Sequence, residues 1–272
     1  MLRQRLVTAI VMVPTLVYVI SQGGTLYFAV VLMLLTIAAW EYTRLAIAAH
    51  TQPALWIVLG GVWLLVPSVA SPRAWTGVSL SLLLIVATAW HALQFERGAS
   101  TPLQDWAVTL AGPMYIGGLG GFLVALRTLP DGLWWTLIVL PSVWLSDSGA
   151  YLVGRWLGKH PLAPRLSPMK TWEGFAGGVV WGSVFGGVLA AVWKSSAGPA
   201  SLINWHHGVI IGLLASMIGP IGDLGISMLK RQTGIKDTGT WLLGHGGALD
   251  RLDSWLVTGA ASYYYISVLV LP

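Results

Sequence analysis

The sequence predicts an all-α polytopic integral membrane protein with about nine transmembrane helices. Apolar residues make up 56% of the 272 residues and charged residues only 9%, against about 25% charged residues in a typical soluble domain. The mean hydropathy of +0.73 indicates the same class. No stretch is polar enough to form a separate soluble domain, and the lack of cysteine excludes disulfides and thiolate metal sites.

The apolar residues fall into segments of about the length that a spanning helix needs, roughly 20 residues. These segments are 6–21, 25–40, 54–71, 78–95, 106–126, 133–153, 173–193, 207–229 and 253–271. The first follows Arg3 and Arg5 as a signal peptide would, but no convincing cleavage site follows, so we predict a retained helix. We divide the chain into an N-terminal region, 1–130, with about five helices, and a C-terminal catalytic region, 131–272.

Charge predicts the orientation of these helices. If the N-terminus lies inside and the segments alternate, twelve of the 15 Lys and Arg residues fall inside. Only Arg73, Arg127 and Lys194 then fall outside. The positive-inside rule therefore predicts an N-in, C-out topology. The two most basic inside loops, 154–172 and 230–252, would lie on the same face of the membrane.

Ionisable residues concentrate in the run from Ser227 to Ser254. Its members are the cations Lys230, Arg231, Lys236 and Arg251, the carboxylates Asp237, Asp250 and Asp253, and the triplet His245, Gly246 and Gly247. Ionisable groups near hydrocarbon are costly, so such a cluster is a candidate functional site. Arginine matches phosphate in a bidentate manner, and glycine lets backbone amides approach an anion. The alternatives are snorkelling cations at a helix end and an ordinary flexible turn.

Three aspartates are candidate metal ligands. Asp223 lies within an apolar segment, with Ser227 and Lys230 on the same helical face. Asp250 and Asp253 share a face of the next helix. Mg²⁺ takes one or two carboxylates and completes its shell with water and phosphate oxygens. The alternatives are a simple ion pair between Asp223 and Lys230, and Asp250 and Asp253 as helix-capping groups.

A second polar block runs from Ser146 to Gly174. Asp147 lies near the end of the sixth segment, and Ser167 or Thr171 is expected to cap the seventh. Glu173 would then fall in the first helical turn. Lys170 opposes the helix dipole there, which suggests a bound phosphate. The remaining histidines, His50, His91, His160, His206 and His207, are interpreted as interfacial or structural.

The pattern S-x-x-K-R-x₄-K-D-x-G-x₅-H-G-G-x-x-D-R-x-D, from Ser227 to Asp253, resembles the signature of the phosphatidate cytidylyltransferases, or CDP-diacylglycerol synthases. The block from Asp147 to Gly174 resembles a second region of that family. Leu243 departs from the family pattern, which usually has proline or a small residue there. The resemblance implies a bacterial-type enzyme of phospholipid biosynthesis that converts CTP and phosphatidate into CDP-diacylglycerol and pyrophosphate. It also implies Mg²⁺, a second monovalent cation such as K⁺, and metal ligation by Asp223 and Asp250 with Asp253 close by.

The residues expected to bind phosphates and to assist the reaction are Lys230, Arg231, Lys236, Asp237, His245 and Arg251. The expected substrate-binding residues are Asp147, Lys170, Glu173, Ser227, Gly246 and Gly247. The expected partners are CTP, phosphatidate, membrane lipid and a second copy of the chain, with no nucleic acid. We expect the bacterial inner membrane as the location, with the active site facing the cytoplasm.

Three other functions fit a basic membrane protein. A CTP-dependent kinase of polyprenol or another lipid would release CDP instead of pyrophosphate. An anionic-lipid transporter is expected to show repeats in matched halves, and none is evident. A non-catalytic scaffold would not need Asp223, Asp250 and Asp253 together.

Overall fold

The computed structural model describes residues 2–71, 75–239 and 246–271, and helices dominate them. The helices are α1 (Leu2–Gln22), α2 (Gly24–Ala48), α3 (Leu55–Ala70), α4 (Trp75–Glu96), α5 (Pro102–Pro113), α6 (Leu119–Thr128), α7 (Gly132–Leu157), α8 (Trp172–Ala197), α9 (Trp205–Thr233) and α10 (Leu249–Tyr265). A π-helical turn, Met114–Gly118, joins α5 to α6, and another, Ile266–Val270, follows α10. The all-α polytopic prediction is confirmed.

Each of the nine apolar segments coincides with one of these helices, and α5 with α6 forms the fifth. Within the described residues, six helical stretches are long and apolar enough to cross a membrane: α2, α4, α5 with α6, α7, α8 and α9. The stretch Met12–Gln22 of α1 and helix α3 are apolar but shorter. The number of nine spans and the orientation stay predictions.

A short β-hairpin interrupts the helical pattern, where the sequence suggested only a loop. Strands β1 (Pro161–Ala163) and β2 (Ser167–Thr171) are antiparallel, with Pro161 opposite Thr171 and Ala163 opposite Ser167. Prolines at 161, 164 and 168 prevent a helix here. The hairpin leads directly into α8, and the Thr171 hydroxyl accepts a hydrogen bond from Gly174 N at 3.1 Å. The predicted cap at Thr171 is therefore confirmed.

Two compact units make up the chain, and neither is a continuous stretch. Unit 1 contains Met1–Val19, Gly24–Ala125 and Leu229–Leu252, and unit 2 contains Ile20–Gly23, Leu126–Met228 and Asp253–Pro272. The boundaries fall inside α1, at the start of α2, and inside α6, α9 and α10. The signature run is therefore shared between the units, and most of it, 229–252, belongs to unit 1. The division of the chain at residue 130 stays a prediction.

The core of unit 1 joins α3, α4 and α5. Its members are Ala54, Ile57, Leu65, Leu83, Ala87 and Leu110. The π-helical turn lies so close to α3 that a Cβ on Gly117 would be 2.9 Å from Val62 Cα. A buried carboxylate, Asp105, holds the start of this region by accepting a hydrogen bond from Gln52 N at 2.6 Å.

Glycine lines the closest helix contacts of unit 2. A Cβ on Gly212 of α9 would lie 1.9 Å from the carbonyl oxygen of Gly182 in α8. One on Gly186 would lie 2.3 Å from the carbonyl oxygen of Gly208. Small residues let helices approach this closely in lipid. The apolar core beside them contains Leu126, Trp135, Ile138, Val139, Ala190, Ile203, Ile211 and Ile266.

Candidate active site

The first group of candidate residues lies in unit 2, where the hairpin meets α9. Lys170 on β2 donates a hydrogen bond from Nζ to Asp223 Oδ2. Ser227 Oγ donates to Asp223 Oδ1 at 3.2 Å. The side chains of Lys170 and Asp223 are 29% and 36% exposed, so both remain open to a solute. Asp223 has the cationic partner expected of it, but that partner is Lys170 and not the neighbouring Lys230.

Asp253 lies at a close contact between α9 and α10 in unit 2. A Cβ on Gly222 would be 2.2 Å from the Asp253 carbonyl oxygen. The Asp253 side chain is buried, and its Oδ1 accepts a hydrogen bond from Ser254 N at 2.6 Å. This contact sets Asp253 beside the residue that precedes Asp223. Of the two carboxylates, Asp223 is the more open to solvent.

The remaining candidates of unit 2 surround the hairpin. Glu173 Oε2 accepts hydrogen bonds from Lys159 N at 3.1 Å and His160 N at 3.2 Å. Its Oε1 lies 2.5 Å from His160 Nδ1. Glu173 therefore holds the turn between α7 and β1, and His160 has a structural role. Asp147 lies on an exposed face of α7.

The second group lies in unit 1. Lys230 Nζ donates to Asp250 Oδ1 at 2.6 Å, with the two side chains 17% and 10% exposed. Asp250 Oδ2 accepts from Thr238 N at 2.8 Å, from Thr238 Oγ at 2.9 Å and from Gly247 N at 3.3 Å. Burial raises the pKa of Asp250, but the hydrogen bonds from Lys230 and Thr238 outweigh it and hold the pKa below its usual value. Asp250 is therefore an anion at neutral pH.

Four charged residues of the signature run in unit 1 are exposed: Arg231, Lys236, Asp237 and Arg251. The three cations among them suit a polyanion. Gly246 has φ +80°, a conformation that favours glycine. The amide of Gly247 faces Asp250 and not an open anion site. The predictions for His245 and Leu243 lie outside the described residues.

Comparison with known proteins identifies the class. A model of the cytidylyltransferase family matches residues 3–269. The chain belongs to the cytidylyltransferase family. A phosphatidate cytidylyltransferase of Synechocystis sp. is 30% identical over 301 aligned residues, covering 99% of this chain and 97% of the relative. Proteins of the same name from Staphylococcus aureus strain COL and Staphylococcus saprophyticus are each 32% identical, covering 94% of this chain and 95% of the relative.

The family match confirms the resemblance seen in the signature run. The chain is thus a nucleotidyltransferase with apolar membrane helices. Its similarity to these relatives extends over nearly the whole length and is not confined to the C-terminal motif. A transporter or a scaffold would not account for that match.

The donor atoms fit a hard cation such as Mg²⁺. In the part of the chain that the structure describes, no three or more Asp, Glu or His side chains gather as a ready metal cluster. Mg²⁺ does not require one, since it is held by one or two carboxylates together with substrate phosphates. Asp223 offers a partly exposed carboxylate, and Asp250 offers an ionised one. Each already binds a lysine ammonium, so each attracts positive charge.

Two residues of unit 1 that contact the candidate site were not predicted from the sequence. Thr238 contacts Asp250 through both its amide and its hydroxyl. Glu41 of α2 contacts Thr238 and is completely buried. Thr238 lies inside the signature run but has no charge, so nothing marked it. Glu41 did carry a signal, because it is a carboxylate at the end of an apolar segment.

Proposed function

We propose that this chain is a phosphatidate cytidylyltransferase, which makes CDP-diacylglycerol and pyrophosphate from CTP and phosphatidate. The observation that carries the proposal is the placement of the signature residues. Lys230, Thr238 and Asp250 form one hydrogen-bonded group, and the same run carries the exposed cations Arg231, Lys236 and Arg251. The names of the full-length relatives support the same reaction.

In this reaction a phosphate oxygen of phosphatidate attacks the α-phosphorus of CTP. A new P–O–P bond forms, the bond from the α-phosphorus to the bridging oxygen breaks, and pyrophosphate leaves with that oxygen. The lipid phosphate is already ionised near neutral pH, so no strong base is needed. The main barrier is repulsion between anions. Cationic side chains lower it by stabilising the charge on the transferring and leaving phosphates.

We assign the binding of each phosphate to particular residues according to their exposure and their unit. Arg231, Lys236 and Arg251 are exposed and would bind CTP phosphates, and Asp237 and His245 of the same run are proposed to assist them. Lys230 is held by Asp250 and would complete the cationic surface. In unit 2, Lys170 would bind a substrate phosphate beside Ser227, with Asp147 and Glu173 on the flanking elements.

Asp223 of unit 2 and Asp250 of unit 1 are each proposed as a ligand of Mg²⁺, and Asp253 of unit 2 as a further candidate carboxylate. When bound, the ion supplies charge neutralisation for the phosphates and stabilises the leaving group. A monovalent cation such as K⁺ is the proposed second ion. Gly246 and Gly247 are proposed to shape the phosphate loop. The close approach of Gly247 to Asp250 supports a positioning role for that glycine.

The proposal includes a location. Nine spans with the N-terminus inside and the C-terminus outside would set the signature run on the cytoplasmic face of a bacterial inner membrane, where CTP meets a lipid headgroup. The bias of Lys and Arg toward the inside loops supports this topology. We also propose a homodimer, which crosslinking in native membranes would test.

The deciding experiment follows radioactive phosphate from CTP into lipid. Purified protein in detergent receives phosphatidate, Mg²⁺ and CTP labelled at the α-phosphate. We expect labelled lipid that requires both phosphatidate and Mg²⁺ and is abolished by Asp223→Asn. Transfer of a γ-phosphate label to an added lipid alcohol, with no transfer from the α-position, would instead establish the lipid kinase and overturn this proposal.

A further inference from the structure

Glu41 is an unusual residue for its position in unit 1. It lies near the end of α2, and none of its surface is exposed. A buried carboxylate is costly unless every oxygen is hydrogen-bonded. Its neighbour Arg44 lies over the ring of Trp40, with the guanidinium carbon 4.9 Å from the centroid. The partners of Glu41 come instead from the far end of the chain.

Glu41 binds the start of α10. Its Oε1 accepts a hydrogen bond from Ala248 N at 3.1 Å, and its Oε2 accepts one from Leu249 N at 2.9 Å. Ala248 directly precedes α10 and Leu249 is its first residue, so these amides lie where a helix has no internal acceptors. A carboxylate at that position also interacts favourably with the helix dipole. Glu41 therefore acts as a helix cap supplied from more than 200 residues away.

The same carboxylate reaches Asp250 through Thr238. Thr238 Oγ lies 2.9 Å from Glu41 Oε2 and also 2.9 Å from Asp250 Oδ2. The single hydroxyl proton bonds one carboxylate at a time, while the Thr238 amide continues to hold Asp250. Glu41 thus fixes both flanks of Asp250: the helix turn that carries it and the threonine that binds it.

Two glycines of the signature run make room for Glu41. A Cβ on Gly239 would lie 2.1 Å from Glu41 Oε1. A Cβ on Gly247 would lie 2.4 Å from Glu41 Oε2 and 2.0 Å from Thr238 Oγ. Any side chain at either position would displace the carboxylate. The absence of a side chain at Gly247 is thereby explained by Glu41, independently of any phosphate.

We propose that Glu41 is a positioning residue for the transferase reaction, which keeps Asp250 and Lys230 in their working geometry without touching substrate. This inference rests on the proposed function for its kinetic consequence, whereas its structural consequence can be measured separately. Groups that orient a metal-binding or catalytic side chain typically contribute about 10–100-fold in affinity or activity. The expected loss lies in that range.

The test compares two carboxylate-to-amide substitutions. Glu41→Gln keeps the side-chain volume but replaces one of the two acceptor oxygens by an NH₂ group, which then faces a backbone N–H donor of Ala248 or Leu249. Asp105→Asn is the matched control, because Asp105 is also a buried carboxylate of unit 1 and accepts a backbone hydrogen bond, from Gln52 N. Both full-length variants are purified in detergent beside the unmodified protein. The kcat for CDP-diacylglycerol formation and the Mg²⁺ concentration for half-maximal rate are measured per folded molecule.

We expect Glu41→Gln to lower kcat at saturating CTP at least tenfold, or to raise the half-maximal Mg²⁺ concentration by a similar factor. Asp105→Asn should retain the unmodified kinetics even where its melting temperature falls. Normal kinetics in Glu41→Gln, with only a lower melting temperature like that of Asp105→Asn, would reduce Glu41 to a structural cap and overturn the proposal.

Amide hydrogen exchange of the metal-free proteins, followed by mass spectrometry, provides a readout that needs no activity. Glu41→Gln should accelerate exchange in peptides containing Ala248 and Leu249, and Asp105→Asn should accelerate it around Gln52 only. Unchanged exchange at Ala248 and Leu249 would contradict the proposed contact. Failure of the unmodified protein to form CDP-diacylglycerol would overturn the proposed function and leave this exchange result intact.

Thr238 provides a second variant if Glu41→Gln does not fold. Thr238→Val removes the hydroxyl between the two carboxylates at nearly constant volume, and Thr238→Ser restores it. We expect Thr238→Ser to be clearly more active than Thr238→Val. Equal activity of these two variants would show that the hydroxyl link does not transmit the position of Glu41 to Asp250.

Discussion

Among single residues, the pair formed by Lys230 and Asp250 should contribute more stability than the pair formed by Lys170 and Asp223. Removing one partner of a buried ion pair costs about 3–5 kcal/mol, because the other charge is left uncompensated. Asp250 keeps its hydrogen bonds to Thr238, so we expect about 3 kcal/mol for Lys230→Met. The double variant Lys230→Met/Asp250→Asn should lose less than the two single variants together. Denaturant titration in detergent micelles measures each free energy of unfolding.

The comparison pair tests whether burial sets this difference. Lys170 and Asp223 are 29% and 36% exposed, against 17% and 10% for Lys230 and Asp250. Solvent weakens exposed pairs to about 0–1 kcal/mol, so the cycle with Lys170→Met and Asp223→Asn should give the smaller coupling. The pKa of Asp250 is held below its usual value. The contribution of ionised Asp250 to the free energy of unfolding is therefore complete at pH values above the usual pKa. That contribution is lost as pH falls through the lowered pKa. Equal coupling in the two cycles would contradict this ranking.

At the element scale, α8 and α9 depend on glycine for their contact in unit 2. A Cβ on Gly212 would lie 1.9 Å from a backbone carbonyl oxygen of α8, which cannot rotate away. We expect Gly212→Ala to force the helices apart and to cost about 1–3 kcal/mol of stability, as overpacked cores do. The measurement is the melting temperature of the purified protein in detergent.

Gly225 provides the control on the same helix. A Cβ there meets no atom within 4 Å, and alanine is favoured over glycine inside a helix by about 1 kcal/mol. Gly225→Ala should therefore leave the melting temperature unchanged or raise it. If both substitutions lowered it equally, the loss at Gly212 would reflect helix α9 as a whole and not its contact with α8.

For the molecule as a whole, the helices could be predicted from local sequence patterns, whereas the contacts within the candidate site could not. Apolar runs of spanning length marked the helices, and the Thr171 cap was visible because capping depends on residues only three positions apart. The pairing of Lys170 with Asp223 joins residues 53 positions apart, and Glu41 meets Leu249 across 208 positions. Such pairings depend on which elements come together, and a single sequence contains no signal for that. The hairpin was missed because its strands are short and interrupted by prolines.

The orientation of the chain in the membrane is the whole-molecule property that the sequence predicts most directly. Because the chain contains no cysteine, a single introduced thiol reports the side on which it lies. Arg165 follows β1 in the hairpin turn, and Ala200 lies between α8 and α9; both are exposed. The N-in topology sets Arg165 inside and Ala200 outside. In intact cells, a membrane-impermeant maleimide should label Ala200→Cys and should label Arg165→Cys only after the membrane is opened. Labelling of Arg165→Cys alone in intact cells would show the opposite topology. The signature run would then lie on the outer face, away from cytoplasmic CTP.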